Sequence, residues 1–302
     1  MPWLGVALAS LILLFAGCGG SSPPPQPPEP LDQDLMSGWR LARFAFEQGQ
    51  YDEAAGLYAR VLERAYARDD LRAIGEVGYE LAVVHLRRHD PHAAAAQAMR
   101  TREELRRRGA APLAELHLVE AVALYEAGDR DGAEVMADQA IELAPATSGP
   151  LVDRALFLRG RIAADRDDVA GVSRARAQLG HAQNAELRAD RLELLGRLNL
   201  LEDRPEGALP AFRESADLRR EVEDYTGMAR ALAFAGEAAK STGRAAEAAD
   251  LYFRAGRSAE LEGNRADARR WLDSAARLAA KTGQAEILSQ ARERLEHLSK
   301  VE

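Results

Sequence analysis

Beyond Pro30 the apolar and polar positions show no strict alternation, no β-branched run and no Asn-Gly hairpin signal. The apolar positions are mostly Ala and Leu set among Arg and Glu, all good helix formers, so the pattern predicts an all-α chain. Short polar breaks interrupt it at Gly49-Gln50, His89-Asp90-Pro91, Gly128-Asp129, Asp167-Asp168, Asp203-Arg204-Pro205, Gly243-Arg244 and Gly283. Their first residues are 40, 39, 39, 36, 40 and 40 apart. A period near 40 predicts a solenoid in which each unit is two antiparallel helices joined by a short turn.

Small residues keep the same register. Seven positions before each break stand Ala42, Ala82, Ala121, Gly160, Gly196, Gly236 and Ala276. Five positions after it stand Ala54, Ala94, Ala133, Val172, Ala208, Ala248 and Leu288. Small side chains at these two places allow paired helices to approach closely across the turn. Tyr58, Phe212 and Tyr252 follow four positions later and are bulky enough to fill the space between pairs. Gly256 and Gly263 mimic the small residue and the break half a period out of phase, as expected if each helix touches neighbours on two faces.

This pattern resembles the tetratricopeptide repeat, most clearly in Gly49-Gln50-Tyr51-Asp52-Glu53-Ala54 and Ala140-Ile141-Glu142-Leu143-Ala144-Pro145. The resemblance spans residues 35–300 and is weakest in the fourth unit, where Val172 and Arg176 replace the small and the large residue. It implies a right-handed α-solenoid of about seven antiparallel helix pairs, with helices longer than the family's common ones. Pro145-Ala146-Thr147-Ser148-Gly149-Pro150 is a candidate hinge or subdomain boundary, which divides the repeats into 33–146 and 147–300. Pro91 and Pro205 suit the first position of a helix, and Asp90, Asp129 and Asp168 suit N-caps. Pro210 falls inside a helix and predicts a kink. The last helix, residues 285–299, reads as a cap whose outer face carries Arg292, Glu293, Arg294 and Glu296.

The N-terminus differs from everything after it. Trp3 to Ala16 is apolar and too short to cross a bilayer, which takes about 20 helical residues. It reads as a secretory signal over residues 1–17. Phe15-Ala16-Gly17-Cys18 resembles the lipobox of bacterial lipoproteins, with Phe15 in place of leucine and no Lys or Arg before it. That resemblance implies diacylglyceryl transfer to Cys18 and removal of the signal. Read without it, the run is a plain apolar anchor or an ordinary cleaved signal. Residues 18–32 form a proline-rich linker. In polyproline II, at about 3.1 Å per residue, it holds a domain roughly 35 Å from the membrane. Gly19 after the cysteine implies, again by resemblance, sorting to the outer membrane and a periplasmic location.

Composition narrows the chemistry further. Acidic residues outnumber Lys plus Arg by 48 to 40, a net charge of −8, which argues against a general nucleic-acid binder. A single cysteine excludes a disulfide framework and any multi-cysteine metal site. No nucleophile elbow, zinc-protease helix or phosphate-binding glycine loop is present, so the chain reads as non-enzymatic and without a cofactor. Asp165 to Gly171 looks like a calcium loop but lacks its later ligands and reads as a turn. Of His85, His89 and His92 the first two stand four apart and could share a zinc ion with Asp90 as a third ligand, but the group reads as a polar turn with one packed imidazole, and no metal site is assigned.

In the resembled family the working surface is the concave groove lined by the first helix of each pair. Transferred here, it takes in Trp39, Arg43, Phe46, Tyr79, Val83, Leu86, Leu118, Val122, Tyr125, Phe157 and Arg161, then Glu193, Arg197, Leu200, Arg230, Glu237 and Lys240. Arg270, Asp273, Arg277 and Lys281 complete it. The groove is thus expected to be aromatic and aliphatic in repeats 1–4 and mixed-charge, with basic residues prominent, in repeats 5–7. Such aromatics either anchor a docked peptide or helix or complete the packing between helices. The lysine and asparagine clamp by which the family holds a C-terminal carboxylate is missing. The expectation is a lipid-anchored periplasmic scaffold for a protein partner, resembling helical-repeat lipoproteins of β-barrel, secretin or peptidoglycan assembly. The alternative is a lipoprotein that captures a glycan or peptide for a transporter, although the chain has no large insertion to form a pocket. Its oligomeric state is open.

Overall fold

The computed structural model describes residues 32–145, 148–179 and 184–300. The apolar leader, Cys18 and the proline-rich linker up to Leu31 lie outside them, as do Ala146 and Thr147. The described residues hold fourteen helices and no strand. They pair as α1 (Gln33–Glu47) with α2 (Tyr51–Ala67), α3 (Leu71–Arg87) with α4 (Pro91–Arg107), and α5 (Ala114–Glu126) with α6 (Arg130–Leu143). Then follow α7 (Gly149–Asp165) with α8 (Val169–Gln178), α9 (Ala185–Leu201) with α10 (Pro205–Glu221), α11 (Tyr225–Ser241) with α12 (Ala245–Leu261), and α13 (Arg265–Thr282) with α14 (Ala285–Lys300). The fold is an all-α, right-handed solenoid of seven antiparallel helix pairs.

All seven breaks in the sequence pattern are the turns inside these pairs. The first residue of each, Gly49, His89, Gly128, Asp167, Asp203, Gly243 and Gly283, has φ between 55° and 91°. This left-handed residue lets the chain end one helix and reverse: the Gly49 amide donates to Phe46 O and the Gln50 amide to Ala45 O, satisfying carbonyls the helix would otherwise leave open. The side chains of Asp90, Asp129 and Asp168 then cap the next helix by accepting from Ala93, Gly132 and Gly171 amides. Turns between pairs repeat the device with Asp69, Gly109, Glu223 and Gly263, which explains the out-of-phase glycine signal.

Close packing follows from the small residues. Ala42, Ala82, Ala121, Ala54, Ala94, Ala133, Ala208 and Ala248 are fully buried. A Cβ on Gly196 would lie 2.6 Å from the Phe212 ring, and one on Gly236 would lie 3.1 Å from the Tyr252 ring. Gly256 meets Leu272 of α13 in the same way, so α12 has a small-residue contact with each neighbour. Tyr58, Phe212 and Tyr252 are buried where bulk was expected. Trp271, Leu272 and Leu251 extend the C-terminal core.

Three details depart from the sequence reading or refine it. Helix α10 runs unbroken through Pro210; that residue and Glu206, whose carbonyl loses its intrahelical donor, are both exposed, so water can replace the missing bond. Arg294 does not lie on a solvated outer face but reaches back 2.6 Å to Glu260 of α12, while Arg292, Glu293 and Glu296 are exposed. The fourth unit is irregular because α8 has only ten residues. Across Pro145 to Pro150, Ala133 and Ala137 of α6 share an apolar cluster with Leu158 and Ile162 of α7.

The glycine contacts are testable. Gly196→Ala should destabilise the protein by about 1–3 kcal/mol in urea unfolding, because a rigid aromatic ring has to move. Gly236→Ala, with roomier contacts to Tyr252, should cost less than Gly196→Ala.

Candidate functional site

The first helices of pairs two, three and four lie side by side and turn one face inward. Spacings of four and three place Tyr79, Val83 and Leu86 on one stripe of α3, and Leu118 and Val122 fall on the matching stripe of α5. With Phe157 and Arg161 of α7 they line a half-open groove of about 530 Å³, and Pro150 and Leu151 wall it near the start of α7. Seven of the groove residues expected from the sequence therefore share one trough. Phe157 is buried in its wall, whereas Tyr79, Leu118 and Val122 remain partly exposed to it.

The solenoid then curves until its two halves meet. His89 Nε2, in the α3–α4 turn, lies 3.0 Å from the carbonyl oxygen of Glu262, in the α12–α13 turn. Between them is a second, larger cavity of about 960 Å³ that adjoins the groove at Val83, Leu86 and Arg161. Its walls carry Tyr125, Glu126, Asp165, Arg230, Asp267 and Trp271. No large insertion was needed to form this pocket; curvature of the repeats builds it.

Charge inside the superhelix is organised around Glu193 of α9. Arg230 donates to it through Nε and Nη2, both at 3.1 Å, and Arg219 donates from 3.0 Å. Arg219 also bonds Asp190 at 2.7 Å and Asp224 at 2.5 Å. Arg197 donates to Asp165 at 2.9 Å and lies over the Phe234 ring. Asp165 accepts from the Tyr125 hydroxyl as well, at 2.8 Å. Burial drives the Glu193 carboxyl upward, but the surrounding arginines, Arg230 foremost, outweigh it and hold the group well below the usual carboxylate range. Burial dominates at Asp190 and pushes it up to about 7 despite Arg219. The Glu126 carboxyl faces the cavity and is raised by its enclosure.

This network corrects the expected basic groove of repeats 5–7. Glu193 and Arg197 are buried, paired side chains: Glu193 lies among Arg197, Arg219 and Arg230, and Arg197 bonds Asp165. Arg230 and Arg270 reach the cavity, each bonded to a carboxylate, Glu193 and Asp267 respectively. Leu200 packs into the C-terminal core, and Glu237, Lys240, Arg277 and Lys281 are exposed away from both cavities. At the other end, Trp39 Nε1 and Arg43 both donate to Glu80 of α3, and Phe46 packs on the Tyr51 ring. Trp39 and Arg43 thus tie the first pair to α3, Phe46 packs within the first pair, and none of the three lines the groove.

The histidines do not converge: His92 is exposed, His89 is engaged by Glu262, and the half-buried His85 is drawn down in pKa by burial. Among the described residues no three metal-ligating side chains gather. The calcium-loop look-alike is the α7–α8 turn. Sequence reasoning missed Glu126, which lines the cavity, and Asp190 and Asp224, which both bond Arg219 of α10.

Neutralising Glu193 should be costly. Glu193→Gln leaves Arg230 and Arg219 buried with less compensation and should lower stability by about 3 kcal/mol or more in urea unfolding. Asp190, with its pKa raised on folding, contributes stability below its unfolded pKa that is lost as pH rises through about 7. Urea unfolding should therefore show Asp190→Asn gaining on the native protein as pH rises from about 4 to about 7.

No family model and no curated protein matches the sequence. Solved structures do match. A Rap protein complexed with Competence and Sporulation Factor is 12% identical over 88% of this chain and 77% of that one, with a TM-score of 0.59. The apo form of the quorum sensor NprR from B. thuringiensis is 11% identical over 90% and 89%, with a TM-score of 0.57. A tetratricopeptide repeat protein from Parabacteroides merdae is 13% identical over 86% and 99%, with a TM-score of 0.52. At these identities the likeness is one of fold, and the fold is a tetratricopeptide-like solenoid.

Proposed function

We propose that the chain is a non-catalytic docking protein of the bacterial cell envelope that holds a peptide or helix of a protein partner in the groove between α3, α5 and α7. The observation that carries this reading is the groove itself: aromatic and aliphatic side chains from three successive pairs converge on one half-open trough. Such a trough suits the apolar stripe of an extended or helical segment. A structure of similar fold, the Rap protein, is complexed with Competence and Sporulation Factor, which supports the same use of the fold. In this proposal Cys18 carries the lipid, the proline-rich linker spaces the solenoid from the outer membrane, and the groove opens to the periplasm. The larger, half-open polar cavity favours a second reading, capture of a small polar ligand such as an oligosaccharide.

Two measurements test these assignments. Metabolic labelling with an alkyne fatty acid should mark the native protein and not Cys18→Ser; equal labelling would reject the lipid anchor. A photo-crosslinking residue in place of Tyr79 or Leu118, in intact host cells, should give one dominant protein adduct. The same group at Arg60, exposed on α2, should give none. A folded protein without groove adducts would reject protein docking, and heat on titration with oligosaccharides would then favour the second reading.

A further inference from the structure

Arg161 stands at the seam of the two cavities and lines both. It is one of four arginines gathered inside the superhelix, and the other three each meet a carboxylate: Arg197 meets Asp165, Arg219 meets Glu193 and Arg230 meets Glu193. Arg161 has no such partner among the described residues. Its guanidinium lies 4.4 Å from the Tyr125 ring centre and 5.9 Å from that of Phe157. Its Nε is buried with no acceptor, as are those of Arg197 and Arg219.

A half-buried cation without a counter-ion is costly, and a guanidinium does not shed its proton to escape the cost. The aromatic faces compensate it only in part. Glu126, the cavity carboxylate that is itself unpaired, lies beyond ion-pair distance of it. The site is therefore electrostatically incomplete, and a planar fork of donors aligned by two rings favours a carboxylate, which can accept two parallel bonds.

Space on both sides of Arg161 decides where that carboxylate sits in a ligand. The apolar groove lies on one side and the larger, polar cavity on the other. A chain ending at Arg161 would leave the larger volume empty, whereas a side-chain carboxylate lets the chain continue through it. We propose that Arg161 receives an Asp or Glu side chain of a bound peptide whose apolar residues occupy the groove and whose next residues run into the polar cavity. This rests on the peptide-docking reading above and adds the charge that the peptide carries and its position.

The test begins with phage-displayed random peptides selected against the full chain in detergent micelles. Selected peptides should share an acidic residue bordered on one side by apolar ones. Replacing that residue by Asn or Gln should weaken binding to the native protein at least about tenfold in fluorescence polarisation. The same replacement should change binding to Arg161→Gln little, the coupling expected of a direct pair. Arg161→Lys, which keeps the charge without the fork, should retain part of that coupling and serves if Arg161→Gln fails to fold. An equal loss on native and variant proteins, or selected peptides without a common acid, would overturn the proposal while leaving peptide docking intact. No selected peptide, or binding unaffected by Leu118→Arg in the groove, would overturn both.

Discussion

The closeness with which neighbouring helices can pack is the constraint on which the rest of the molecule depends. Alanine or glycine stands at most of the places where paired helices approach, and the glycine at residue 196 faces Phe212 with no room for a methyl group. The same device recurs between pairs, where Gly256 of α12 faces Leu272 of α13. Repeated over seven pairs, a small rotation at each becomes the curvature of the whole solenoid. Large aromatic side chains enter only where a small residue opposite leaves space, which is why a core with few aromatics can still be close-packed.

Curvature turns a row of helices into a container. The α3–α4 and α12–α13 turns meet through a single hydrogen bond from one imidazole to one carbonyl oxygen, across 173 residues of chain. The same curvature brings α5, α7, α9 and α11 around a common interior, where water is restricted and charges interact strongly. Most arginine and carboxylate side chains there pair with one another, and Glu193 is the hub because three arginines lie within 4 Å of it. Asp190 is the weak point of this network: burial dominates there and Arg219 does not fully offset it.

Two kinds of surface adjoin inside this container. The apolar trough of repeats 2–4 offers shape and hydrophobic contact, while the larger cavity offers charge. Arg161 belongs to both and is held by ring faces from two different helices, so its position is set by packing before any ligand arrives. On the docking reading proposed above, specificity would lie in one polar contact and area in apolar ones, the usual division in recognition of a peptide segment.

Much of the fold is legible in the sequence because its determinants are local. Left-handed turn residues such as Gly128 and Asp203, the aspartate caps and the small residues at fixed distances from each turn all act within one or two helices, and they recur every 40 residues or so. The trough was legible for the same reason: Tyr79, Val83 and Leu86 lie on one stripe of one helix whatever the rest of the chain does. What the sequence did not disclose is how far the curvature accumulates. It left Arg197 looking like a groove residue, and it gave no hint that His89 meets Glu262. Local pattern determined the helices, their turns and the inward stripe. Only the tertiary structure decided which charges face each other across the interior, because that depends on the sum of small rotations between pairs that no single repeat encodes.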